Sequence, residues 1–150
     1  MGRNSPTVNA ADLCHRQGSS VRVLLLDDDP KFTELIEAYL AAESIEVIVV
    51  PNGAEGLRQI MRSDFDVIVC DLKMPHLAGD RFYLAVARVK PHLCERFLFI
   101  TGFGRNKALD WLSEIANPRV MYKPFHMLDL LLAINDIARA RPRPDGSSAG

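Results

Sequence analysis

Five short apolar runs, separated by longer amphipathic segments, constrain the fold of this chain more than any other feature. The runs are rich in β-branched and aromatic residues, and several are apolar at consecutive positions, which is typical of strands covered on both faces. They are VRVLLL (21–26), EVIVV (46–50), DVIVC (66–70), RFLFI (96–100) and RVMY (119–122). Strands of this kind, joined by helices, form parallel sheets.

Helical patterns fill the gaps between these runs. In PKFTELIEAYLAAE (30–43), the apolar residues with the spacing of one helix face are Phe32, Leu35, Ile36, Tyr39 and Leu40. Asp29 is predicted to cap this helix, and Pro30 to take its first position, where a backbone N–H is not needed. The other predicted helices are GAEGLRQIMRS (53–63), GDRFYLAVARV (79–89), NKALDWLSEIAN (106–117) and MLDLLLAINDIARAR (127–141).

Five strands alternating with five helices indicate an α/β fold with helices on both faces of a five-stranded parallel sheet. Right-handed crossovers leave few topologies, and the flavodoxin-like doubly wound order 2-1-3-4-5 is the common one at this size. The length of 150 residues suits one domain. We predict this domain over residues 21–141, with a flexible polar leader at 1–20 and a flexible tail at 142–150.

Acidic residues follow two strands that the predicted order makes neighbours. Asp27, Asp28 and Asp29 follow the first strand, and Asp71 follows the third. The helices after these strands lie on opposite faces, so a crevice opens between the strand ends. Asp27, Asp28 and Asp71 should converge there, and three carboxylates so close together oppose folding unless a cation shares the site. Hard oxygen ligands favour Mg²⁺ or Ca²⁺, so the sequence predicts a divalent-cation site.

The fourth and fifth strands bring a hydroxyl and an amine beside the same crevice. Thr101 ends the fourth run, and Lys123 follows the fifth. A cation, a lysine and a hydroxyl around one carboxylate suit phosphoryl transfer, because each stabilises negative charge on the transferring PO₃ group. The carboxylate would be the nucleophile and would form an acyl phosphate.

With these fragments together, the sequence resembles the receiver domain of two-component response regulators from about Val21 to Arg141. The matching residues are Asp27 and Asp28 in LLLDDDP, Asp71, Pro75 and Gly79 in DLKMPHLAG, Thr101 in ITG, and Lys123, Pro124 and Phe125 in KPF. Each fragment is weak alone, but their order and spacing are specific. The resemblance implies a signalling protein rather than an enzyme, phosphorylated by a histidine kinase or a histidine phosphotransfer protein. Because little of the sequence follows Arg141, we expect a single-domain regulator.

The resemblance also implies how the phosphoryl group is held. Asp71 would accept it, while Thr101 and Lys123 would contact its oxygens. The Lys123–Pro124 bond would be cis. Many relatives have a switching aromatic residue three positions before the lysine, where this chain has Val120.

The metal ligands implied by the resemblance are the carboxylates of Asp27, Asp28 and Asp71 and the backbone carbonyl of Lys73, with Mg²⁺ as the ion. In this family, the positions of Lys73 and Phe103 also tune the lifetime of the phosphoryl group.

Charge and cysteine content limit the partners and the compartment. A net charge of −1 argues against binding to nucleic acid or to an anionic membrane surface. No apolar stretch reaches the length of a membrane span, and the amino terminus lacks the apolar region of a signal peptide. Cys14, Cys70 and Cys94 are odd in number and widely spaced, which fits free thiols in the cytoplasm.

Output is expected through a downstream protein whose identity the sequence does not give, by contact or by phosphorelay. Receivers often signal through the fourth helix, fifth strand and fifth helix. The residues that suggest partner or homodimer contact there are Trp111, Met127, Leu130, Ile134 and Ile137. Core packing is the competing interpretation of the same residues.

Two alternative functions stay open. The chain could be a receiver module from a hybrid sensor histidine kinase, which would use the same site chemistry. It could also be a haloacid-dehalogenase-type phosphatase, with Asp27 as nucleophile and Asp29 as acid/base in a D-x-D pattern. Pro30 and Lys31 do not fit that motif, and the chain is short for that family.

Overall fold

A parallel sheet of five strands forms the centre of the computed structural model, which describes residues 20–73, 79–102 and 107–140. Its strand order is β2-β1-β3-β4-β5, so the predicted doubly wound topology is confirmed. The strands are β1 Arg22–Leu26, β2 Glu46–Val50, β3 Val67–Asp71, β4 Phe97–Thr101 and β5 Val120–Tyr122. Each differs from its predicted run by no more than a residue at either end. The predicted leader and tail lie outside the described residues, except for position 20.

All five predicted helical segments are helical, four of them as α-helices. These are α1 Pro30–Ala42, α2 Gly53–Arg62, α3 Gly79–Val89 and α4 Met127–Ala140. The fourth predicted segment is instead a 3₁₀ helix, Lys107–Glu114, and a further 3₁₀ helix that was not predicted covers Pro91–Arg96. None of the helices in the described ranges has the length and apolar character needed to cross a bilayer.

The helix predicted over 106–117 is present as the 3₁₀ helix Lys107–Glu114. The backbone N–H of Ile115 donates to the carbonyl of Leu112 at 3.1 Å, a bond between residues three apart. A 3₁₀ helix aligns side chains three positions apart, and Leu112 and Ile115 both pack against the core. Leu112 is buried and Ile115, just after the helix, is half-buried on the same side.

Helix α1 begins as predicted. The carboxylate of Asp29 accepts hydrogen bonds from the backbone N–H groups of Lys31 at 3.1 Å and Phe32 at 3.4 Å. Pro30 occupies the first helical position, where its missing N–H leaves no gap in the hydrogen bonding.

The buried face of α1 differs from the predicted one. Its buried residues are Thr33, Ile36 and Leu40, whereas 58% of Leu35 is exposed. The prediction for Leu35 is therefore wrong. The helix is rotated so that Thr33, rather than Leu35, faces the sheet, and the Thr33 hydroxyl is satisfied by donating to the carbonyl of Pro30 at 3.1 Å.

The sheet separates two apolar cores. Successive residues of β1 point to opposite faces, so Leu24 and Leu26 enter one core and Val23 and Leu25 the other. The first core is completed by residues of α2, α3 and the 3₁₀ helices, and the second by residues of α1 and α4. The helices after β1 and β3 thus lie on opposite faces of the sheet.

Most residues that suggested an interface near β5 belong to these cores. Leu130, Ile134 and Ile137 are buried on α4, and Trp111 packs edge-on against Phe99 with ring centroids 5.4 Å apart. Core packing is therefore the correct interpretation of these four side chains. Large apolar side chains also stay exposed in this region, at Tyr122, Leu128 and Leu132.

Replacing the cap of α1 is expected to lower stability without removing the fold. Asp29→Ala leaves the N–H groups of Lys31 and Phe32 without their acceptor and should reduce the free energy of unfolding by about 1 kcal/mol. Asp29→Asn keeps an acceptor oxygen and is the matched control, and its free energy of unfolding should fall by only about a few tenths of a kcal/mol. Urea denaturation measures both, and equal losses in the two variants would contradict the capping role.

Candidate functional site

The site lies where the carboxyl ends of β1 and β3 meet. These strands pair in parallel with Leu26 opposite Cys70, so Asp27 and Asp71 follow at the same level of the sheet. Because the helices after the two strands lie on opposite faces, this is the switch point at which open α/β sheets bind ligands. The Cys70 side chain is buried and is a free thiol, as predicted.

Three carboxylates converge at this point. Oxygen atoms of Asp27, Asp28 and Asp71 all lie within 4.8 Å of one another. Asp27 and Asp71 are buried, at 3% and 7% exposed, whereas Asp28 is exposed and leaves one side of the cluster open. A backbone N–H two residues further along the chain orients each buried carboxylate: Asp29 donates to Asp27 Oδ1 and Lys73 donates to Asp71 Oδ1, both at 2.9 Å.

The amine of Lys123 joins two of these carboxylates. Its Nζ donates to Asp27 Oδ2 at 3.3 Å and to Asp71 Oδ2 at 3.4 Å. The backbone N–H of Lys123 donates to the carbonyl of Thr101 at 2.8 Å, which ties the end of β5 to the end of β4. The Lys123–Pro124 bond is cis, as predicted.

Thr101 is the last residue of β4 and is 1% exposed. Because Ile100 pairs with Asp71, Thr101 lies one step beyond the acid along the sheet. At the next position, a Cβ added to Gly102 would lie 4.0 Å from Cδ of Lys123. Gly102 therefore lies beside the side chain of the site lysine.

The electrostatics of the crevice favour a cation. Burial is the largest cause of a raised pKa at Asp71, and the charge of Asp27 acts in the same direction. The N–H of Lys73 and the charge of Lys123 lower the pKa of Asp71, but they do not cancel the effect of burial. The ammonium group of Lys123 bonds to two of the three carboxylates, Asp27 and Asp71, so a bound cation would relieve the repulsion that remains among the three.

The donor set also has a suitable spread for Mg²⁺. Oxygens that ligate one Mg²⁺ ion at about 2.1 Å lie at most about 4.2 Å apart. The three carboxylates, within 4.8 Å of one another, need only a small approach to share such an ion. Two buried ligands and one exposed ligand leave room for the waters that Mg²⁺ retains.

Sequence reasoning missed one residue of the site. Phe32 was assigned to the buried stripe of α1, yet its ring centroid lies 4.2 Å from Nζ of Lys123. Phe32 lies in the first turn of α1, close behind the aspartates, and this position was the only signal available in the sequence. Pro75 and Phe103 lie outside the described residues.

Fold and site together define a doubly wound α/β domain with an acidic pocket, a buried hydroxyl and a lysine at its switch point. Comparison with known families gives the same answer. The family described as response regulator receiver domain matches residues 23–135. The chain belongs to this family of two-component signalling domains.

Three relatives illustrate the similarity. The cell cycle response regulator CtrA of Brucella ovis is 32% identical over 122 residues, which cover 79% of this chain and 50% of CtrA. The transcriptional regulatory protein TrcR of Mycobacterium tuberculosis is 28% identical over 136 residues, covering 89% of this chain and 49% of TrcR. A receiver domain structure from Clostridium thermocellum is 28% identical with a TM-score of 0.69, and the match covers 79% of this chain and 94% of that one. The chain spans half or less of the length of the curated relatives it matches.

Membership of this family indicates what the aspartate cluster binds. Receiver domains are signalling domains that bind Mg²⁺ at an acidic pocket, and this chain has its acidic pocket at Asp27, Asp28 and Asp71. The further roles that the resemblance implies, such as metal binding by the Lys73 carbonyl, remain predictions.

Proposed function

We propose that this receiver domain accepts a phosphoryl group on Asp71 from a phosphohistidine of a histidine kinase or a histidine phosphotransfer protein. The observation that carries this proposal is the position of the Asp71 carboxylate, beside Asp27 and Asp28 and 3.4 Å from the amine of Lys123. An Asp71 oxygen forms the new bond to phosphorus. The phosphorus–nitrogen bond of the donor breaks, and its electron pair stays with the histidine ring.

Each remaining residue of the site has a part in this transfer. Asp27, Asp28 and Asp71, together with the carbonyl of Lys73, would hold Mg²⁺, which supplies positive charge to the oxygens of the transferring group when it is bound. The Thr101 hydroxyl donates a hydrogen bond to one phosphoryl oxygen, and the Lys123 ammonium pairs with another.

We place this transfer in a cytoplasmic regulator whose receiver domain spans residues 21–141, and we expect no nucleic-acid or membrane partner. Its output is contact with a downstream protein, or phosphorelay. A homodimer through Lys107–Glu114, β5 and α4 would cover Tyr122, Leu128 and Leu132, which are exposed. A receiver module of a hybrid sensor histidine kinase would use the same site, and the flanking coding sequence would distinguish the two.

Phosphoryl uptake from acetyl phosphate with Mg²⁺ tests the assignment. Intact mass should show one added phosphoryl group on the wild-type protein and none on Asp71→Asn, and peptide mapping should place the group on Asp71. Asp64→Asn is the matched control: Asp64 lies just before β3, at the opposite end of that strand from Asp71, and this variant should be labelled like the wild type. Equal labelling of Asp71→Asn would overturn the proposal.

The phosphatase alternative predicts a different pattern. It requires Asp29 to act as acid/base, but the Asp29 carboxylate accepts two backbone hydrogen bonds as the cap of α1. Hydrolysis of a phosphomonoester that is lost in Asp27→Asn and retained in Asp71→Asn would favour the phosphatase. We expect no such turnover from the wild-type protein.

A further inference from the structure

An aromatic ring covers the ammonium group of the site lysine. Nζ of Lys123 lies 4.2 Å from the ring centroid of Phe32 and within 3.4 Å of one oxygen each of Asp27 and Asp71. The face of an aromatic ring carries negative potential and attracts a cation. The ammonium group therefore has three attractive neighbours, two charged and one aromatic.

The ring of Phe32 is itself held in place. Phe125 packs edge-on against it, with ring centroids 5.9 Å apart and an angle of 75° between the planes. The backbone N–H of Phe32 donates to the capping carboxylate of Asp29. Phe125 follows Lys123 and Pro124 in the chain, so the ring connects the start of α1 to the loop that carries the lysine.

We propose that Phe32 is a positioning residue for Lys123, an inference that rests on the proposed phosphoryl transfer to Asp71. A lysine side chain is a flexible stem with a strongly hydrated end, and fixing it before reaction removes a cost from the transition state. The Phe32 ring limits where the ammonium group can go and covers it from water. The ammonium group then meets the phosphoryl oxygens with little rearrangement.

Phosphoryl uptake in matched variants tests this role. Phe32→Leu keeps apolar bulk but removes the ring, and should slow uptake from acetyl phosphate about fivefold, the typical value of one cation–aromatic contact. Phe32→Tyr keeps the ring and should restore most of the rate. Tyr39→Leu removes another half-buried aromatic residue from α1, about two helical turns beyond Phe32, and should behave like the wild type. A wild-type rate in Phe32→Leu would overturn the inference.

A second pair of variants separates positioning from a general structural role. In a Lys123→Ala background there is no ammonium group to position, so Phe32→Leu should cause no further loss of rate. The same fivefold loss in that background would mean that Phe32 acts through the fold, and the inference would fail.

Proton NMR gives a readout that does not depend on phosphorylation. The ring current of Phe32 should shift the ε-methylene protons of Lys123 upfield in the wild type and in Phe32→Tyr, but not in Phe32→Leu. Absence of this shift in the wild type overturns the inference whether or not the protein is phosphorylated. A wild-type protein that shows the shift but takes up no phosphoryl group overturns the proposed function instead, and leaves the placement of Lys123 intact.

Discussion

Asp71→Asn is expected to stabilise the metal-free protein while removing its phosphoryl uptake. Burial and the charge of Asp27 raise the pKa of Asp71, so the ionised carboxylate lowers the stability of the folded state at neutral pH. The amide of Asn has the same shape and no charge. Uptake should fall by roughly a thousandfold or more, since the nucleophile itself is lost.

The pH dependence of the difference in stability between Asp71→Asn and the wild type tests whether the charge of Asp71 causes it. A carboxyl group whose pKa is raised on folding binds its proton more tightly in the folded state, so it favours folding as the pH falls. The cost of charged Asp71 is present above its raised pKa and disappears as the pH falls to the ordinary value of 3.8. Urea denaturation in a chelating buffer should therefore show the two proteins converging in stability across this window.

Asp64→Asn is a control with the opposite sign. Burial raises the pKa of Asp64, but the neighbouring charge and hydrogen bond of Arg96, helped by His92, outweigh burial and lower it. Ionised Asp64 therefore contributes stability above pH 3.8, and this contribution is lost as the pH falls through the lowered pKa. The variant should be slightly less stable than the wild type at neutral pH. Stabilisation by both substitutions would contradict the assignment of cause at Asp71.

Magnesium should reverse the order of stability between the wild type and Asp71→Asn. A ligand that binds only the folded state stabilises it by about 2.7 kcal/mol when its concentration is a hundred times its dissociation constant. The wild type should gain this increment, and the Asn variant, lacking one carboxylate ligand, should gain much less. An equal gain in the two proteins would mean that Mg²⁺ binds away from Asp71.

The sheet and the acidic site could be predicted from the sequence because both follow from strand ends. In a parallel sheet the carboxyl ends of adjacent strands meet at one edge, so residues just after the apolar runs must lie together. Asp27 and Asp71 are found there in the structure, as are Thr101 and Lys123. The contacts of Lys123 with Asp27 and Asp71 could be predicted because the lysine follows a strand that ends at this edge and its side chain is long enough to reach them.

Other features depend on packing that periodicity does not specify. The spacing in α1 is compatible with two nearby orientations of the helix, and the one in which Thr33 is buried and Leu35 exposed depends on how the helix packs against the sheet. The contact between Phe32 and Lys123 joins residues far apart in the sequence, and it depends on the direction of both side chains. No pattern within either segment could predict it.

Phe82→Ala is expected to have the largest effect on stability, a loss of about 3–5 kcal/mol. Phe82 lies on α3, is fully buried, and packs against Phe97 with ring centroids 5.8 Å apart. Its ring lies close to Gly56 of α2, where an added Cβ would be 3.0 Å from Cε1 of Phe82. Because Gly56 has no side chain that could move into the cavity, we expect a loss in the upper part of the range.

Leu84→Ala is the matched control for this loss, because Leu84 lies on the same helix but is 58% exposed. Its substitution should change the free energy of unfolding by no more than about 0.5 kcal/mol. If the damage in Phe82→Ala is confined to the core, Mg²⁺ should stabilise that variant by the same increment as the wild type, since distant effects add. A smaller increment would show instead that the packing of α3 against the sheet also holds the carboxylates at the end of β3 in place.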